Sequence, residues 1–330
     1  MRRLNVRNAI KKNLKDCFQL SSRMANLKQH PHSPLLLLAD APAVQGDPVQ
    51  LADIEVNMDF INNNIIITGG SSGIGLALAK ELSSLGANIT ILARHKDLLD
   101  SALSEIKKSA ISQEQQFKWI SADVSNFDEL ERELSKDNNA YDILINSAGL
   151  AFPGEFVEMG PEIFKNLMDV NYLGTVYMSK LVVPKMIVRK TGYIVNLSSY
   201  VALVGYYGYT AYAPTKYAVR GFSRCLRSEL KPYGIDVSVV IPQDTDTPQL
   251  AFERSHLPLV TQKTNKLLEK IFGSNSLISA DKAANYIIYG MKKRKFSIYF
   301  GTVGVLTSLI TPLIGRLLYH YTVNIAKKDL

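Results

Sequence analysis

Tyr212 and Lys216 stand four residues apart in Tyr212-Ala213-Pro214-Thr215-Lys216, a spacing that puts both side chains on one face of a helix. An ammonium beside a phenol favours the phenolate. The pair therefore predicts a tyrosine whose proton affinity is drawn down toward the working range and which passes a proton to a carbonyl oxygen. Such pairs also arise by accident, so their setting decides. Thirteen residues before the tyrosine, Ser199 closes Asn196-Leu197-Ser198-Ser199 at the end of an apolar run, and Asn146-Ser147-Ala148-Gly149 closes an earlier one. The carboxyl ends of strands in an open parallel sheet are where ligands bind, so these three segments converge on one place.

A second string implies different chemistry. Thr68-Gly69-Gly70-Ser71-Ser72-Gly73-Ile74-Gly75 lies between the β-branched run Ile65 to Ile67 and Leu76 to Leu85, whose apolar residues fall at helical spacing. In that context the glycines permit a tight turn and close approach of backbone to a pyrophosphate, whose charge meets the helix N-terminus. Gly69, Ser71, Ser72, Gly73, Ile74 and Gly75 are the expected dinucleotide contacts. About 20 residues further on, where an acidic side chain would hold an NAD ribose, the chain reads Leu92-Ala93-Arg94-His95-Lys96. The Arg94 guanidinium suits a 2′-phosphate through charge-assisted bidentate bonds, so NADPH/NADP+ is the expected cofactor, with Asp97 offsetting part of the field.

The elements that must position these groups follow from the pattern of apolar residues. Strands are predicted at Ile65 to Ile67, Ile89 to Ala93, Phe117 to Ala122, Ile143 to Asn146, Tyr193 to Leu197, Val237 to Ile241 and Phe296 to Phe300. Amphipathic helices are predicted at Leu76 to Leu85, Leu98 to Lys108 and around Glu129 to Leu134, with long helical segments before the strands at Tyr193 and Val237. Continuous apolar strands alternating with helices predict the α/β class: a single Rossmann-type, doubly wound parallel sheet with helices on both faces. No repeat at a fixed period is apparent. The two cysteines, Cys17 and Cys225, fit no metal or disulfide spacing, so neither a metal site nor a stapled secreted fold is expected.

With its segments in this order, the chain resembles the short-chain dehydrogenase/reductase family over about Asn64 to Phe300. The resemblance implies that Asn171, in Asp169-Val170-Asn171-Tyr172, completes a catalytic tetrad with Ser199, Tyr212 and Lys216. Tyr212 would donate the proton, Ser199 orient the carbonyl, Lys216 bind the nicotinamide ribose and lower the Tyr212 pKa, and Asn171 hold a relay water. Asp123 and Val124 would contact the adenine, Asn146 and Gly149 line the cofactor, and Thr247 touch the carboxamide. Two departures are local: the usual Asn-Asn-Ala-Gly reads Asn146-Ser147-Ala148-Gly149, and the usual Pro-Gly after the sixth strand reads Pro242-Gln243.

Within that family, Pro242-Gln243-Asp244-Thr245-Asp246-Thr247-Pro248, Arg220-Gly221, Lys231-Pro232-Tyr233 and Asn171-Tyr172-Leu173-Gly174 are similar to the 3-ketodihydrosphingosine reductases. This implies NADPH-dependent reduction of a long-chain lipid ketone, and a homodimer or homotetramer. It also implies a place at the endoplasmic reticulum membrane with the active site facing the cytosol, or at the cytoplasmic membrane face in a bacterium. The apolar, aromatic Val201 to Tyr209 would border the substrate, and ordinary packing explains the same residues. Competing readings are a steroid or retinoid dehydrogenase of the same family and a non-catalytic nucleotide sensor, against which the intact tetrad argues.

The net charge of +8 over 330 residues divides unevenly. Residues 1–30 hold eight basic side chains against Asp16 alone, and residues 292–330 hold seven against Asp329, so residues 31–291 carry −5. An acidic body excludes a nucleic-acid reading based on the total. Residues 1–60 read as a basic extension: an organelle presequence, a surface-binding arm, or a solvated tail. Residues 61–300 form the expected catalytic domain, and 301–330 an apolar tail. In that tail Val303, Leu306, Ile310, Leu313 and Leu317 share one helix face, which favours an amphipathic helix lying on a membrane surface over a span. A helix packed on the body or on a second subunit is the alternative. Lys327 and Lys328 resemble a dilysine retrieval signal.

Overall fold

The computed structural model describes residues 58–137, 139–272, 277–300, 315 and 319–327, all within one compact unit, Glu55–Leu330. Its centre is a parallel sheet in the order β3-β2-β1-β4-β5-β6-β9. The strands are β1 (Asn64–Thr68), β2 (Asn88–Ala93), β3 (Phe117–Ser121), β4 (Ile143–Asn146), β5 (Gly192–Leu197), β6 (Ile235–Ile241) and β9 (Ser297–Tyr299). Each predicted strand is present, within one or two residues at its ends. A separate two-stranded sheet pairs β7 (Thr245–Asp246) with β8 (Ile278–Ser279).

The helices are α1 (Gly73–Ser84), α2 (Lys96–Lys107), α3 (Phe127–Ser135), α4 (Pro161–Met168), α5 (Gly174–Arg189), α6 (Ala213–Leu230), α7 (Pro248–Ser255), α8 (Leu259–Phe272) and α9 (Ala280–Lys292). Side chains of successive strand residues leave opposite faces, and this alternation builds two cores. Ile65 and Ile67 of β1, Ile143 and Ile145 of β4, and Tyr193 and Val195 of β5 join one core with Leu78 and Leu82 of α1 and Ile287 of α9. Ile66, Leu144 and Ile194, between them in sequence, join the other with Leu130 of α3 and Met178 and Met186 of α5. Strands buried on both faces need apolar residues at every position, which is why they read as unbroken runs.

Strand order reverses between β1 and β4, where the helix after β1 and the helix after β4 lie on opposite faces. A crevice opens there at the carboxyl ends of the strands. The body starts slightly earlier than its first strand, because Phe60 is buried in the core and Met58 N–H donates to Lys292 O at 3.3 Å. Phe60 therefore belongs to the body and not to the basic extension. Residues 1–57 and most of the tail, including Val303 to Leu313 and Leu317, lie outside the described residues. Residues 319–327 are helical, and among the described residues no helix is long and apolar enough to cross a membrane.

Candidate active site

The glycine turn joins β1 to α1 at the reversal of strand order. Gly69 has φ +67°, and a Cβ there would lie 2.9 Å from the backbone of Ala148 after β4. At Gly75 a Cβ would lie 2.3 Å from Gly69 O, so the helix can start against the turn only without a side chain. Thr68 Oγ1 locks the two loops together by accepting from Ser147 N–H and Ala148 N–H, each at 3.1 Å. These are backbone donors, which is why the serine at position 147 leaves the loop intact.

The start of α1 differs from those of α3 and α9. Asn126 caps α3 by accepting from Glu129 N–H, with Asp128 and Glu129 in the first turn, and Ser279 caps α9. Ser72 stands extended at the N-cap of α1 with no side-chain cap bond, and the first turn holds no acidic residue. The cradle of Gly69, Gly73 and Gly75 and these helix amides therefore fit the pyrophosphate of a dinucleotide. Thr247 caps α7 by accepting from Leu250 N–H at 3.3 Å, and its Cγ2 lies 3.2 Å from where a Gly73 Cβ would be. It thus borders the same turn as Ser71 and Ile74.

Arg94 follows the last residue of β2, its side chain half exposed, with a guanidinium nitrogen 3.8 Å from Asp123 Oδ2. Asp123 is thus its ion-pair partner. Asp123 Oδ1 accepts from Ser125 N–H and its hydroxyl at 2.9 and 2.7 Å, and Val124 beside it is buried against Gly174. Asn146 Nδ2 donates to Asn196 Oδ1 at 2.9 Å, whose own Nδ2 donates to Ser223 Oγ at 3.0 Å on α6. Asn146 Oδ1 is buried and has no partner.

The tetrad residues meet beside this turn. Tyr212 stands at the N-cap of α6, and Ser198 Oγ anchors that helix to β5 by donating to Lys216 O at 2.8 Å. Lys216 Nζ donates to Leu197 O at 3.1 Å and lies 5.8 Å from the Tyr212 ring centroid. Asn171 sits in a π turn, Asp169–Leu173, that joins α4 to α5. Its amide brackets Leu150, accepting from the N–H at 2.7 Å and donating to the carbonyl at 2.9 Å, and also donates to Thr215 Oγ1 at 2.9 Å. A Cβ on Gly149 would lie 3.2 Å from both Asn171 Oδ1 and Lys216 Nζ.

Electrostatics here differ from the sequence expectation. Burial pushes Lys216 down to about 8, opposed by the carboxylate of Glu253. Tyr212 is raised above the ordinary phenol range, by burial first and then by Glu253, while its hydrogen bond with Ser199 acts the other way. Burial, which penalises the charged form, is the largest influence on both groups.

Sequence reading missed the carboxylates that cause part of this shift. Glu253 on α7 is half-buried, its Oε1 accepting from Gln249 Nε2 at 3.1 Å and its Oε2 from Tyr209 OH at 3.2 Å. The Tyr209 ring is 6.0 Å from that of Tyr212, and Tyr206 OH reaches Asn265 Oδ1 on α8. Asp244 lies on the same side, and its field also reaches Tyr209 and Tyr212. The available signal was the Gln249 to Glu253 spacing of one helical turn next to the Asp-Thr-Asp-Thr-Pro string.

Known proteins share the family and the fold. Residues 63–257 match the model of the short chain dehydrogenase family. The chain is 36% identical over 281 residues to 3-dehydrosphinganine reductase of Danio rerio, covering 84% of this chain and 80% of that protein. It is 34% identical over 281 residues to 3-ketodihydrosphingosine reductase of Bos taurus, with the same coverage of 84% and 80%. In structure it is similar to a short-chain dehydrogenase from Sphingobium yanoikuyae in complex with NADPH, with TM-score 0.63 and 25% identity over 77% of this chain and 95% of that one. The fold also matches a short-chain dehydrogenase/reductase of Burkholderia phymatum in complex with NAD, with TM-score 0.65 at 20% identity over 77% and 94%. The chain belongs to the short-chain dehydrogenase/reductase family, as an oxidoreductase that interconverts ketone and alcohol with a nicotinamide dinucleotide.

Proposed function

We propose that the protein uses NADPH to reduce a long-chain 2-amino-3-ketone, 3-ketosphinganine, to the secondary alcohol sphinganine. The observation that carries this is the meeting of Tyr212, Lys216 and Asn171 at the sheet end shared with the glycine turn, with Ser199 following β5 beside them. The names of the two relatives supply the substrate. When bound, the reduced nicotinamide supplies a hydrogen with two electrons to the carbonyl carbon. Tyr212 donates the proton to the oxygen, and Ser199 orients the carbonyl. Lys216 holds the nicotinamide ribose. Asn171 fixes the Leu150 backbone and keeps an acceptor lone pair on Oδ1 for a relay water.

For the dinucleotide, Gly69, Ser71, Ser72, Gly73, Ile74 and Gly75 hold the pyrophosphate, Asp123 and Val124 the adenine, Asn146 and Gly149 the central ribose side, and Thr247 the carboxamide. Arg94 at the end of β2 supports NADPH over NADH, since a guanidinium pairs with a 2′-phosphate and an acidic residue there would repel it. The basic ends support a place at a membrane surface, on the cytosolic side of the endoplasmic reticulum in a eukaryote, with a second copy packed through the helices near Asn171 and Tyr212. Carbonate extraction separates surface binding, which releases the protein, from a span, which retains it.

Purified protein given NADPH and 3-ketosphinganine tests the reaction. Turnover, lost in Tyr212→Phe, supports it. No oxidation of NADPH with any long-chain ketone refutes it. The aromatic wall of Tyr206 and Tyr209 would also suit a steroid or retinal, so both belong in the substrate panel.

A further inference from the structure

We propose that Glu253 selects substrates that carry an ammonium on the carbon next to the ketone. This rests on reading the substrate as a long-chain amino ketone. Glu253 is joined to the surroundings of the proton donor through Tyr209. Its Oε2 is hydrogen-bonded to Tyr209, whose ring packs 6.0 Å from that of the proton donor Tyr212. The α7 helix that carries it starts at Thr247 against the glycine turn, which fixes it relative to the dinucleotide as well.

The second argument is electrostatic. Both hydrogen bonds to Glu253 come from uncharged donors, Gln249 and Tyr209; burial and, less, Asp244 raise its proton affinity, against those two bonds and the charge of Lys216. Its field makes Tyr212 harder to deprotonate and Lys216 easier to charge. For a neutral ketone this arrangement is a handicap, because a carboxylate beside the proton donor opposes the proton's departure. An amino ketone removes the handicap. Its ammonium, two bonds from the carbonyl carbon, lies beside the carboxylate when the oxygen lies at Tyr212, and cancels that field as it binds. Recognition then acts on the chemical step as well as on binding, since the cation remains while the phenol loses its proton.

The test compares 3-ketosphinganine with the deamino ketone of the same length, on wild type and on Glu253→Gln, in the full chain. Wild type is expected to show a kcat/KM at least tenfold higher for the amino ketone, with part of the difference in kcat. Glu253→Gln is expected to reduce that ratio at least tenfold, and Glu253→Asp to retain most of it. Equal kcat/KM for the two ketones in wild type overturns the inference and leaves the proposed reaction standing. A ratio unchanged in Glu253→Gln does the same. Failure of wild type to reduce either ketone overturns both. If Glu253→Gln does not fold, product inhibition of wild type supplies the comparison. Sphinganine should inhibit at least tenfold more strongly than its deamino counterpart, and equal inhibition overturns the inference.

Discussion

The glycine turn and the tyrosine and carboxylate wall near Tyr212 are built by different means. The turn is made of backbone. Gly69 and Gly75 let chain segments approach to distances that no side chain allows, and Thr68 ties the loops through main-chain donors. The wall is made of side chains from distant segments, Tyr206 and Tyr209 before α6, Asp244 after β6, and Glu253 on α7. A backbone device tolerates change in what surrounds it, whereas a side-chain device can be retuned one residue at a time. On the proposed reading the turn holds the dinucleotide and the wall sets the substrate.

That contrast is sharpest at the residue both sides share. Tyr212→Phe should lower kcat by about 10³-fold or more, within the usual range for a lost general acid. Dinucleotide binding, followed by tryptophan or cofactor fluorescence, should be unchanged. Loss of binding as well would show that the phenol also supports the turn. On the turn itself, Gly75→Ala puts a methyl 2.3 Å from Gly69 O, so dinucleotide affinity should fall about 100-fold or more by titration, as close approach is lost. A variant that binds normally would contradict the backbone account.

A smaller effect is expected at Arg94. Its guanidinium is exposed and already faces Asp123, so Arg94→Ala should lower the preference for NADPH over NADH only about tenfold, in line with one charge-assisted contact. Steady-state kinetics with both dinucleotides reads this directly.

The smallest effect concerns stability. Lys216 has a folded pKa of about 8 against an ordinary value of 10.5, so between those pH values the unfolded chain holds more protons and native stability rises with pH. Lys216→Met should remove that slope. At neutral pH it should also stabilise the fold by about 1 kcal/mol, because relief of the buried charge exceeds the cost of leaving Leu197 O without its donor. Thermal melts from pH 7 to 10 check the sign, and activity should be lost.

The two regions were not equally legible in the sequence. Strand β4 could be read to the residue because Ile143 to Ile145 are buried on both faces, and the turn because glycines have no substitute at Gly69 and Gly75. The α7 and α8 helices went unread. No residue of α7 is fully buried, so it presents no apolar stripe to detect. The raised proton affinity of Tyr212 was illegible for a related reason: the spacing to Lys216 is local, whereas the burial comes from tertiary packing and the Glu253 field from a helix later in the chain. The charge of the tail was legible, but its arrangement falls mostly outside the described residues.

The most direct measurement of the central claim is NADPH oxidation by the purified full-length protein with 3-ketosphinganine, in parallel with a steroid ketone and retinal. The account predicts turnover that is highest with the amino ketone, with sphinganine as the product and no turnover in Tyr212→Phe. Faster turnover of the steroid or retinal, or none with the amino ketone, would contradict it.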